Sequence, residues 1–140
     1  MKELLKIISI LCYSIVGIIS LLMAFKNFFS DKFLPFHEKA SWKKWNEIED
    51  RVQLVILSLM RVAGLGFLLM AILLIVFPIY NYFAPNKFLQ YTIPVIAIIY
   101  CAGLAVFNYI LHKNTAAETP WKKSIVAILL IIIGIIISML

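Results

Sequence analysis

Between Val52 and Phe77 the chain runs for 26 residues with a single charge, Arg61. As a helix such a segment reaches roughly 39 Å, more than the roughly 30 Å hydrocarbon core of a bilayer. Three further apolar runs of spanning length accompany it, at about 4–25, 93–111 and 120–140. With 64% hydrophobic residues and a mean hydropathy of +1.00 in 140 residues, the chain has more apolar surface than a soluble domain of this size can bury. The expected fold is all-α, an integral membrane protein forming an up-down four-helix transmembrane bundle. Residues 1–140 are read as a single domain with helices at about 4–25, 52–77, 93–111 and 120–140. The N-terminal run resembles a secretory signal in its lysines and apolar stretch, but it continues to Phe25 with no small-residue cleavage site. A retained first helix is therefore expected.

The segment 26–51 is the longest connection. Its first half mixes aromatics with charges, and Pro35 argues against one continuous helix there. In its second half Ser41 has the chemistry of an N-cap, and Trp42, Trp45, Glu49 and Val52 follow at helical spacing. That pattern predicts an interfacial amphipathic segment leading into the second span from near Trp42. Pro78 is expected to end or bend that span, and residues 78–92 to form an interfacial turn. Thr119-Pro120 predicts an N-cap and first helical residue for the fourth span.

Helices in a membrane pack through small and polar residues, because lipid is already as apolar as leucine. The first helix offers Ser9, Tyr13, Ser20, Ala24 and Asn27, and the second Ser58, Arg61, Gly64, Leu68 and Ala71. The third offers Ala97, Cys101, Leu104, Ala105, Asn108 and His112, and the fourth Ser124, Ala127, Ile131, Gly134 and Ser138. Nine of the 13 Lys and Arg residues fall in the first and third connections. By the positive-inside bias these loops, 26–51 and 112–123, are expected in the cytoplasm and both termini outside a cell membrane crossed several times.

Arg61 has two readings. Counted from Val52 it lies near the midplane, where it needs a partner or a wet cavity; counted back from Phe77 it lies a turn inside and snorkels. On the first reading it faces the bundle interior with Ser58 and Gly64 and is met by Asn108, by His112 or by a bound anion. A ligand-binding cluster is then expected at the cytoplasmic end from Arg61, Ser58, Asn108, His112, His37 and Trp45. Each has a plainer role: Asn108 as an interhelical hydrogen-bonding residue, His112 as a helix-end cation, and His37 and Trp45 as interfacial residues.

The net charge of +6 lies mostly between the apolar runs and suits a membrane surface, with no nucleic-acid signature. Cys12 and Cys101 are isolated in apolar runs, which disfavours thiol redox chemistry. Two histidines, one of them in a loop, supply no haem or metal ligand pattern, so no cofactor and no catalytic residue are expected. Every acid lies outside the apolar runs, which disfavours proton-coupled cation export. The expectation is a non-catalytic membrane protein, an accessory subunit or a binding protein for a lipid, amphiphile or anion. Transport of an anion or anionic lipid is the first alternative, and an enzyme acting on lipid headgroups the second. Its partners would be the bilayer, an anionic lipid, another membrane protein or a second copy of itself.

Overall fold

The computed structural model describes residues 1–140 and contains no strand. Four long helices, α1 (Lys2–Phe28), α3 (Asp50–Phe83), α4 (Lys87–Thr115) and α5 (Trp121–Met139), are each long and apolar enough to cross a membrane. A short helix, α2 (Pro35–Ser41), and a 3-10 turn at Trp45–Glu47 occupy the long connection. The fold is the expected up-down bundle. Each long helix packs on its neighbours in sequence, and α5 returns to α1 to close the ring.

The seams differ in tightness. Against α1, α3 presents Gly64, where a Cβ would come within 3.2 Å of the Asn27 side chain and 3.4 Å of the Ala24 carbonyl oxygen. On the other side of α1, Ser9 donates a buried hydrogen bond of 2.8 Å to the Gly134 carbonyl of α5, and the Tyr13 ring lies against the Gly134 backbone. The core between them joins Tyr13, Val16, Met70, Leu74, Ala97, Cys101 and Ile131. From the small-and-polar stripes these positions include Tyr13 on α1, Ala97 and Cys101 on α4 and Ile131 on α5. The α3–α4 seam is the loosest of the four.

Several helix ends differ from expectation. The chain does not start a span at Trp42. Ser41 closes α2, its hydroxyl donating to the Glu38 carbonyl at 3.2 Å, and Trp42 turns into the left-handed region at φ 57°. The Glu47 carboxylate then accepts the Lys44 N–H at 2.9 Å, holding a separate turn before α3 begins at Asp50. Pro78 does not end α3, which continues to Phe83, because a proline removes only one ladder donor and the surrounding helices support the rest. The Asn86 side chain accepts from the N–H groups of Phe88 and Leu89, so α4 starts two turns before the apolar run and Pro94 lies inside it. Thr119 is not an N-cap. Its hydroxyl donates to the Asn108 carbonyl at 2.6 Å, tying the third connection to α4, and α5 begins at Trp121.

Candidate functional site

The first and third connections lie at the same end of the bundle, where α2 packs against α4. Pro35 takes the first helical position of α2, where its missing N–H costs nothing. Just before it, Phe33 and Leu34 are buried against Met60 of α3, with Trp45 and Ile48 packed around them. The Phe33 and Trp45 rings meet edge to face at 5.1 Å. Gln53 fastens this loop to α3 by donating to the carbonyls of Trp45 and Ile48, at 2.8 and 3.0 Å. The connection is thus a fixed roof over the loose α3–α4 seam.

Beneath the roof lies a cavity of about 460 Å³. Its lining is chiefly apolar, from Met23 on α1, Phe33 and Phe36 in the connection, Ile56, Met60 and Phe67 on α3 and Leu104 on α4. Leu59 is exposed and Ala63 is too, so the cavity edge on α3 faces outward between α3 and α4. Four polar residues join the lining: Asn27, His37, Ser41 and Asn108. The amides of Asn27 and Asn108 each donate to the carbonyl four residues earlier, both at 2.8 Å, and neither amide oxygen accepts a hydrogen bond. The His37 Nδ1 atom is buried without a partner, and burial holds the imidazole below its ordinary value of 6.5.

This cavity gathers two of the six expected residues, His37 and Asn108. Arg61 and Ser58 are exposed, so the expectation that they face the bundle interior is corrected. The reason is register: α3 turns Met60, Gly64, Ala71 and Leu74 inward, and Arg61 lies roughly 140° round the helix from the cavity-facing residues. His112 stands outside the cavity, its Nδ1–H donating to the Ala117 carbonyl at 2.7 Å, and so closes the end of α4. Trp45 supports the roof without lining the cavity. Asn27, on the polar stripe of α1 at the end that the two connections share, joins the lining as well. Its role in the lining depends on how the first connection folds back, which helical periodicity does not encode.

The nine cations of these two connections form no ion pair, the only one in the structure being Lys6 with Glu3 at 3.0 Å. Lys122 instead lies over the Trp121 ring, 5.6 Å from its centre. One end of the bundle thus combines an apolar recess with nine lysines and arginines against six acids, a modest positive surplus.

Fold and site define a multi-pass α-helical membrane protein with a roofed, largely apolar recess lined by three of its spans. No known protein family, curated protein or solved structure matches the chain.

Proposed function

We propose that the protein is a non-catalytic membrane protein that binds an anionic amphiphile or lipid, with the apolar part in the α3–α4 recess and the head among the lysines of the two connections. The observation carrying this reading is the cavity of about 460 Å³ with a chiefly apolar lining. That volume falls within the range of roughly 300–1,000 Å³ usual for small-molecule sites. Exposed Leu59 and Ala63 at its edge give a route from the bilayer that crosses no polar barrier. His37, Asn27 and Asn108 supply hydrogen-bonding capacity for the polar end of the ligand, and the excess of nine cations over six acids in the two connections favours a negative headgroup. The loop end is assigned to the cytoplasm on its lysine and arginine surplus. Arg61 faces outward, which withdraws the residue on which passage of an anion through the bundle would have depended.

The test is native mass spectrometry of the detergent-purified protein, wild type beside Ala63→Trp. A tryptophan at this exposed edge position fills the recess without replacing a core residue. Wild type is expected to retain one anionic lipid and the variant to release it, with the melting temperature little changed. Equal retention by both would sink the recess as the binding site. Retention of a second protein, and no lipid, would favour the accessory-subunit reading.

A further inference from the structure

At the opposite end, the α3–α4 turn and the outer ends of α1 and α5 enclose a second cavity, of about 130 Å³. Tyr13 lines it, with only 4% of the residue exposed, and its buried hydroxyl has no hydrogen-bond partner. Folded chains rarely leave such a donor idle. The neighbouring side-chain donors are spent on carbonyls, and no oxygen around the Tyr13 hydroxyl accepts from it. Ser9 donates to the Gly134 carbonyl at 2.8 Å, Ser138 to the Ile135 carbonyl at 2.7 Å, and Gln90 to the Ser138 carbonyl at 3.2 Å. Asn81 uses its side-chain oxygen to accept the Asn86 N–H at 2.7 Å. Lys6, the one cation on the lining, is paired with Glu3.

These facts restrict what the cavity can take. The idle hydroxyl calls for an acceptor, and the neutralised lysine leaves no net charge to attract an anion. The walls include Phe77, Pro78, Leu89, Ile93 and Pro94, which suit an apolar body. In size the space is close to the roughly 150 Å³ engineered cavity that takes one benzene molecule. We propose that this cavity binds an uncharged six-membered ring bearing a carbonyl oxygen, of the quinone or lactone kind, with the Tyr13 hydroxyl donating to that oxygen. This site is independent of the recess at the other end.

The experiment is equilibrium dialysis of the protein in lipid nanodiscs, against empty nanodiscs, with three probes: para-xyloquinone, delta-valerolactone and the carbonyl-free para-xylene. At least one carbonyl probe is expected to bind reversibly and saturably, and which one binds identifies the class. Both para-xylene binding to wild type and carbonyl-probe binding to Tyr13→Phe should be weaker by about tenfold or more, as for loss of one buried hydrogen bond. The ligand-free melting temperature of Tyr13→Phe should be unchanged or raised, since the removed hydroxyl satisfies nothing. Should that variant not fold, Leu89→Trp, at a half-buried lining position, should abolish carbonyl-probe binding by filling the space. Failure of both carbonyl probes to exceed empty nanodiscs would mean a water-filled space and overturn the proposal. So would equal binding of para-xylene, undiminished binding to Tyr13→Phe, or undiminished binding to Leu89→Trp.

Discussion

His37 is the one titratable group on the lining of the α3–α4 recess, and burial disfavours its charged form. The sign of its pH effect follows. The unfolded chain takes up a proton near 6.5 while the folded chain resists until a lower pH. The contribution to stability is therefore complete above 6.5 and is lost as pH falls below it, by no more than about 1.4 kcal/mol per pH unit for one proton. Melting curves from about pH 7.5 to about pH 5.5 should show wild type losing stability on acidification and His37→Gln losing less. Parallel curves would mean that the imidazole is solvated and the roof open. His37 was legible as a residue near the site because the loop carrying it had to lie over the bundle end. Arg61 was not. A stripe drawn through residues 58, 61 and 64 shares Gly64 with the buried face but lies to one side of it, and only the packing of Met60 and Leu74 fixes the rotation.

At the scale of an element, the glycines distinguish tight seams from slack ones. A Cβ on Gly134 would come within 2.7 Å of the Tyr13 ring, whereas one on Gly103 meets nothing within 4 Å. Gly134→Ala should therefore lower stability by about 1–3 kcal/mol through displacement of Tyr13. Gly103→Ala should be neutral or gain up to about 1 kcal/mol from the lost flexibility of glycine in a helix. Thermal melts of the two variants in one lipid check both; equal effects would mean the α1–α5 seam yields more freely than its geometry suggests. That seam was readable in sequence, since Ser9, Tyr13 and Gly134 break apolar runs at helical spacing and have no purpose facing lipid. Helix ends were less readable. Hydropathy reports where the apolar run stops, but the ladder stops where backbone groups find other partners. The Asn86 side chain, the Glu47 carboxylate and the Thr119 hydroxyl decide this locally.

For the molecule as a whole, the lysine and arginine distribution makes orientation a matter for labelling. Cysteines placed singly at Lys39 and Lys87, in a background lacking Cys12 and Cys101, should differ in intact cells: the first shielded from an impermeant thiol reagent, the second labelled. The reverse pattern would put the recess on the outer face and its ligand among extracellular compounds. The bundle itself was legible because four apolar runs and short connections leave a chain few other arrangements. The end at which the recess lies was legible too, but its apolar lining was not, because that depends on how the first connection folds back over α3 and α4.

That folding back also makes the two ends of the molecule unequal in the chain and the space they hold. At one end the four spans are joined by α2 and stand around about 460 Å³ of space; at the other, a three-residue turn and about 130 Å³ suffice. Where such an inequality makes a body broader in one leaflet than in the other, the body acts as a wedge, and a wedge has a preferred membrane curvature. Reconstituted in one orientation, the protein should be denser in the highly curved bilayer of small vesicles when its broad end lies in the outer leaflet, and sparser when it lies in the inner one. Equal density in both cases would mean that the lipids around it fill out the narrow end. If the preference holds, the shape of the surrounding membrane helps decide where in a cell this bundle gathers.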